Sequence, residues 1–71
     1  MKVIFRDSKN SYVATTYVRS SSDYIKTLKE TKMVTLMSDY DIYEYEYVDS
    51  SVVVDVGAEN TYVAVWVKKH E

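Results

Sequence analysis

The chain has 71 residues, of which 46% are hydrophobic and 28% are charged, and its formal net charge is −2. A chain of this length forms a single domain, 1–71, with a small core, because about 40% of the surface stays exposed in domains of roughly 60 residues. It has no cysteine and one histidine, His70, which excludes a disulfide scaffold and a thiolate zinc site.

The first two predicted elements form a hairpin. Lys2 to Arg6 alternates apolar and charged residues, which indicates a strand. Asp7 to Asn10 is a cluster of turn formers, and Ser11 to Arg19 has the pattern of a second strand. The two strands are short and close in sequence, so we expect them to pair.

A short helix follows the hairpin. Ser20 and Asp23 have the spacing of a capping box, and the carboxylate of Asp23 suits the positive end of a helix. Three apolar side chains then share one helical face at i, i+3 and i+4 spacing: Tyr24, Ile25 and Leu28. The pattern predicts a helix that ends near Lys32 and needs a sheet behind it for stability.

The remainder of the chain is rich in strand formers. Met33 to Met37 extends the helix or forms a strand, and its β-branched centre favours the strand. Three further strands are predicted at Asp41–Val48, Val52–Val56 and Thr61–Lys68, separated by turns at 49–51 and 57–60. The predicted fold class is α+β, in the order β-β-α-(β)-β-β-β, with one short helix and an antiparallel sheet of four to six strands.

The faces of the last strands depend on one turn. A two-residue turn at Ser50–Ser51 places the tyrosines of the preceding strand with the valines and leaves Glu44 and Glu46 on the outer face. A three-residue turn reverses this and buries the two carboxylates, which is costly. We therefore favour the first register, although Ser-Ser is a poor two-residue turn. In either register a partly apolar second face remains, and it is a candidate interaction surface.

The most unusual segment is Asp39 to Asp49, where five carboxylates and four tyrosines occupy eleven positions. An ordinary strand with outward Glu and half-buried Tyr has this pattern. A recognition strand has it as well, because Tyr supplies contact area at low entropic cost and acids steer a basic partner. The candidate partner-binding residues are Asp39, Tyr40, Asp41, Tyr43, Glu44, Tyr45, Glu46, Tyr47, Asp55 and Trp66.

Charge is segregated along the chain. From Met33 to Val67 there are seven acids and no Lys, Arg or His, whereas Met1 to Lys32 has seven bases and three acids. Folding can mix the two parts or keep them apart. If they stay apart, the acidic part attracts a basic surface of the kind that nucleic-acid-binding proteins present.

Other classes of function have weaker support. The most aromatic strand is also the most acidic and would repel phosphates, so nucleic-acid binding is not expected. Asp39, Asp41 and Glu44 resemble the start of a calcium loop that lacks its glycine, so we expect no metal and no cofactor. We expect no enzymatic activity, because the lone His70 is next to the end of the sequence and no Gly-rich phosphate loop is present.

These observations predict a small non-enzymatic protein that binds a basic surface of a protein partner and inhibits or regulates it by occlusion. The alternatives are a self-assembling structural protein and, with less support, a single-stranded nucleic-acid binder. The small core and second apolar face favour a homodimer. Neither a signal peptide nor a membrane span is evident, which favours the cytoplasm. The scarcity of Gly, Ala, Arg and Pro is typical of AT-rich coding sequences, as in phages and mobile elements of low-GC hosts.

Overall fold

A computed structural model describes residues 1–70 as a five-stranded sheet with one helix on one of its faces. The elements in chain order are β1 (Lys2–Arg6), β2 (Tyr12–Tyr17), α1 (Ser21–Thr31), β3 (Met33–Met37), β4 (Ile42–Asp55) and β5 (Asn60–Lys69). The predicted hairpin, helix and strand at Met33–Met37 are confirmed. An α+β fold with one short helix is therefore correct.

The sheet is mixed, so the antiparallel sheet expected from the sequence is wrong. The strand order is β2-β1-β5-β4-β3, and β1 runs parallel to β5 while the other neighbours are antiparallel. The sheet is curled like half of a barrel. Periodicity and turn signals report only on pairs of strands that are close in sequence. The β1–β5 pair joins the two ends of the chain, and no local pattern encodes it.

One strand, β4, stands where two were predicted. Asp49 to Ser51 is not a turn; the backbone stays extended, and the Asp49 side chain accepts a hydrogen bond from the Ser50 N–H at 2.8 Å. A bulge at Val48 inserts one extra residue opposite β5. The bulge preserves the favoured faces: Tyr47 pairs with Val67, on the valine side, while Glu46 pairs with Lys68 on the opposite side.

Local contacts define the ends of α1. The Ser20 hydroxyl accepts a hydrogen bond from the Asp23 N–H at 3.4 Å, as the capping pattern predicts. At the other end Lys32 adopts a left-handed conformation with φ 61° and donates its N–H to the Leu28 carbonyl at 2.7 Å. The reversal at Lys32 lets the chain leave the helix directly into β3.

The core lies between α1 and one face of the sheet, which we call the helix face. Its buried side chains are Val3, Phe5, Leu28, Val34, Val63, Val65 and Val67. Leu28 is the only residue of α1 in this buried set. On the opposite face, called the outer face, Ala64 is also buried and Trp66 is half-buried, although no helix covers them. Over residues 1–70, no helix is long and apolar enough to span a bilayer.

Candidate functional site

The ten predicted partner-binding residues do not form one patch, because β4 spreads them over its length and over both faces. Asp39, Tyr40, Asp41 and Tyr43 lie at the turn between β3 and β4, and Asp55 lies at the far end of β4. Between these ends, Tyr45 and Tyr47 are on the helix face, and Glu44, Glu46 and Trp66 are on the outer face. The structure thus separates them into four groups with different surroundings.

The β3–β4 turn is an exposed aromatic and acidic tip. The Ser38 N–H donates to the Asp41 carbonyl at 2.8 Å, and the Asp41 N–H donates to the Ser38 hydroxyl at 3.1 Å, which closes the turn. Tyr40 is 94% exposed at its apex. The Tyr43 hydroxyl donates to the Asp41 carboxylate at 3.1 Å, and this hydrogen bond, with the nearby negative charge, raises the pKa of Tyr43. The tip therefore presents apolar area beside carboxylates that form no ion pair within residues 1–70.

Tyr45 and Tyr47 belong mainly to the core. Both are half-buried and pack against the buried cluster. The Tyr47 hydroxyl lies 2.8 Å from the Ser50 hydroxyl, so its polar end is already hydrogen-bonded. Side chains held in this way offer a partner only their edges. Of the four tyrosines singled out from the sequence, Tyr40 and Tyr43 are the exposed ones.

The two glutamates of β4 differ in their charge environment. The Glu46 carboxylate lies 4.0 Å from Lys68 Nζ and 3.8 Å from His70 Nδ1, whereas Glu44 is exposed and forms no ion pair within residues 1–70. Lys68 therefore partly compensates the charge of Glu46. We expect Glu46 to attract a partner less than Glu44 does.

Trp66 and Asp55 are also held by local contacts. The Trp66 indole N–H donates to the Asn10 side-chain oxygen at 3.3 Å, which ties the β1–β2 turn to the outer face. One Asp55 oxygen accepts the Ala58 N–H at 3.1 Å and stabilises the turn before β5. The other Asp55 oxygen is available to solvent because the residue is exposed.

Charge that is segregated along the chain is partly segregated in the sheet. Most bases lie on β1, on α1 and in the connections between β1 and β3, and the acids of the second half lie on β4 and the turns at its ends, although Lys26 and Lys29 of α1 also lie beside β4. β5 separates β1 from β4 in the sheet. Within residues 1–70, the ion pairs between side chains all involve Glu46. The six other acids, called the acidic margin, are Asp39, Asp41, Glu44, Asp49, Asp55 and Glu59.

The structure also reveals a feature that sequence reasoning missed: β4 extends beyond β3. The pairs with β3 run from Ile42 to Glu46, and the Tyr47 N–H donates to the Lys32 carbonyl. Beyond Tyr47, no element of residues 1–70 pairs with the edge of β4 that points away from β5. We call residues 49–55 the open edge. The run of three valines at 52–54 was the available signal, because it is apolar on both faces of a strand.

A groove lies beside the open edge. It has a volume of about 580 Å³ and runs between α1 and the second half of β4. Ile25 and Val63 lie deep in it, and Lys26 and Lys29 line its helix side. Val52 and Val54 beside it are 65% and 64% exposed. The result is an apolar strip next to an unpaired edge of β4.

No three potential metal ligands are close together among residues 1–70. Comparisons with protein-family models, with curated proteins and with solved structures return no significant match.

Proposed function

We propose that this protein is a non-enzymatic binding module that attaches to a basic surface of a partner protein through its acidic margin and regulates that partner by occlusion. The observation that carries the proposal is the set of six acids along β4 and its turns, none of them ion-paired within residues 1–70. The composition favours a phage-encoded inhibitor that acts in the cytoplasm.

Electrostatics supports this partner class. Charges of one sign along an edge raise the local concentration of an oppositely charged partner and speed its association. The nearest bases on β5 are Lys68 and Lys69, at the end of β5 remote from Asp55 and Glu59. Steering by exposed charges falls as salt is added, because the Debye length is about 10 Å at 0.1 M. A basic partner should therefore bind faster at low ionic strength.

Apolar area beside the acids supports a macromolecular partner over a free cation. Tyr40, Met37 and Ile42 are at least 65% exposed near one end of the acidic margin, and Val52 and Val54 are exposed near the other. Stable protein interfaces combine an apolar centre with a polar rim. Aromatic and aliphatic side chains among carboxylates provide both.

Selection from a random peptide library on the immobilised protein tests the proposal. We expect the enriched peptides to be rich in Lys and Arg and to contain apolar residues. A variant with all six acids of the margin changed to their amides, as Asp→Asn and Glu→Gln, should lose this enrichment, and circular dichroism confirms that it folds.

A matched control changes acids outside the margin. Asp23→Asn/Glu30→Gln alters two acids of α1 and should select the same peptides as the wild type. Enrichment of neutral or acidic peptides by the wild type would overturn the proposal.

A second candidate function, single-stranded nucleic-acid binding, is favoured by residues of β1 and β2, at the other edge of the sheet. Tyr12 lies directly across from Arg6, and Tyr17 lies across from Lys2, on the outer face. The two tyrosines are 62% and 74% exposed. Aromatic side chains next to cations can stack bases while the cations contact phosphates. The sequence argument against nucleic-acid binding concerned the most aromatic strand, which is acidic, whereas β1 and β2 bring two other tyrosines next to basic residues.

Fluorescence anisotropy with a labelled oligothymidine measures this second function directly. Binding that weakens steeply with salt and is lost in Tyr12→Ala/Tyr17→Ala would support it. Tyr40→Ala at the acidic tip is the matched control and should leave such binding unchanged. Absence of binding at low salt would eliminate this candidate.

A further inference from the structure

The open edge of β4 presents unpaired backbone groups at defined residues. The Tyr47 N–H donates to the Lys32 carbonyl, so the backbone N–H and C=O of Tyr47 point away from β5 and Tyr47 and Val67 form a non-hydrogen-bonded pair. Backbone groups alternate in direction along β5, which has no bulge. Val65, Val63 and Thr61 therefore also form non-hydrogen-bonded pairs with β4, as Val67 does. Their partners on β4 are Ser50, Val52 and Val54. The N–H and C=O groups of these three residues therefore point outward. The Ser50 N–H is already bonded to the Asp49 carboxylate, so the unpaired outward N–H groups are those of Val52 and Val54.

The same three residues direct their side chains to the helix face, beside the groove. An added strand would thus find hydrogen-bond partners and an apolar strip in one place. Native proteins usually protect such an edge with charges, proline or a covering element. Here Val52 and Val54 are left exposed and no proline is present in the chain.

The charges beside the open edge indicate which kind of segment it would bind. Asp49 and Asp55 stand at the two ends of the open edge, on the outer face, and neither forms an ion pair within residues 1–70. They are six residues apart, or roughly 20 Å along an extended chain. The groove on the other face is lined by Lys26 and Lys29. A strand that fits carries cations opposite the two aspartates and uncharged apolar side chains towards the groove.

A second copy of this chain fits less well. The antiparallel register that aligns the three valines pairs Val52 with Val54 of the second copy. This register places Asp49 opposite Gly57 and Asp55 opposite Ser51, so a second copy supplies no cation for either aspartate. A basic segment supplies a cation at both positions, and opposite charges directly across a strand pair attract each other.

We propose that the open edge of β4 binds an extended basic segment of a partner by strand addition, with cations opposite Asp49 and Asp55 and apolar residues against Val52 and Val54. This inference rests on the proposed function and specifies how the acidic margin would be used. Main-chain hydrogen bonds would supply affinity, and the alternating side chains would supply specificity.

The probe is the synthetic peptide Lys-Val-Thr-Val-Thr-Val-Lys, whose lysines have the spacing of the two aspartates. Its side-chain order is the same in both directions, so the test does not assume a parallel or an antiparallel strand. We expect the peptide to slow amide hydrogen exchange at Val52 and Val54, measured by NMR. Ser51 and Val53 should change little, because their N–H groups already point to β5. A peptide with glutamates in place of both lysines should bind at least about tenfold more weakly.

Two variants test the edge itself. Val52→Pro removes one outward N–H without removing a bond to β5, a position where an edge strand tolerates proline. It should weaken peptide binding by at least about tenfold. Val56→Pro, at an even more exposed valine just beyond the strand, is the matched control and should bind like the wild type. If Val52→Pro does not fold, Asp49→Lys/Asp55→Lys tests the same edge through its charge.

The failures of the two proposals are distinguishable. If basic peptides from the library bind but protect amides at the β3–β4 tip instead of the open edge, strand addition is wrong and the acidic margin remains the binding region. If the wild type selects no basic peptides, the proposed function fails. If the protein alone sediments as a dimer at tens of micromolar and Val52→Pro makes it monomeric, the occupant is a second copy and the basic-segment proposal is overturned.

Discussion

At the scale of single residues, three non-glycine residues between positions 1 and 70 adopt positive φ: Asn10, Lys32 and Glu59. Asn tolerates the left-handed region, because its short polar side chain can bond locally, but Lys and Glu gain no such compensation. Lys32 accepts this conformation where α1 must end abruptly before β3. The backbone of Lys32 is used on both sides, since its N–H bonds to Leu28 and its carbonyl accepts the Tyr47 N–H.

Lys32→Gly should therefore stabilise the protein. Glycine has no Cβ to oppose φ 61°, and we expect the free energy of unfolding to rise by about 1 kcal/mol. Urea denaturation measures the change. Lys29→Gly, inside α1, is the matched control and should lower stability by about 0.8–1 kcal/mol. Equal effects of the same sign would show that the helix terminus is not strained.

Tyr43 provides a residue-scale prediction about pH. The Asp41 carboxylate accepts a hydrogen bond from the Tyr43 hydroxyl and raises the pKa of Tyr43 above the ordinary value of 10.0. The folded state thus favours the neutral phenol. This stabilisation is complete below pH 10 and is lost as the pH rises through the raised pKa. Site-resolved NMR titration should show the pKa of Tyr43 falling towards its ordinary value in Asp41→Ala, while an unchanged titration would mean that the hydrogen bond does not persist in solution.

At the scale of elements, α1 depends on one buried side chain. Leu28 inserts between the helix and the sheet, and Tyr24 and Ile25 contact the same cluster from more exposed positions. A helix of 11 residues is marginal in isolation, so this packing decides whether it forms. The sequence pattern identified all three residues, because helical spacing is a local property.

Leu28→Ala should destabilise the protein by about 2–5 kcal/mol, the usual range for truncating a buried leucine. Thermal denaturation followed by circular dichroism measures the loss. Lys26→Ala removes an exposed side chain of the same helix and should change stability by about 0.5 kcal/mol or less. A small effect of Leu28→Ala would mean that α1 is not anchored at this position.

β4 was less predictable than α1 for a physical reason. Asp49, Ser50 and Ser51 are polar and resemble a turn, yet none of them is Gly, Asn or Pro. Their extended conformation comes from pairing with Trp66, Val65 and Ala64 of β5. Tertiary pairing overrides local preference in strands more readily than in helices. The open edge could not be recognised while β4 was divided into two strands.

At the scale of the whole molecule, β5 holds the sheet together. It pairs with β1 on one side and with β4 on the other, and it contributes three of the fully or almost fully buried core valines. The sequence predicted the existence of this strand and its faces. It could not predict the parallel neighbour, because the contact between β1 and β5 joins residues about 60 positions apart. The separation of charge in the sheet depends on this same arrangement, so the sequence could not predict it either.

A sheet organised around β5 should unfold as one unit. We expect Trp66 fluorescence and circular dichroism to report the same midpoint in urea. Val3→Ala in β1 and Val34→Ala in β3 lie on opposite sides of β5, and each should shift both signals together. Two separated transitions in either variant would show that the halves of the sheet unfold independently.

The position of β5 also has a consequence for synthesis on the ribosome. The strand that completes the centre of the sheet is translated after the four strands that flank it. When only β1 to β4 have left the ribosome, the β1–β2 pair and the β3–β4 pair have no strand between them. The faces that will bury the core valines are then still exposed to water. Folding should therefore begin only when Lys69 has left the exit tunnel. Until then the uncovered edges of β1 and β4 are both available to chaperones and to neighbouring chains.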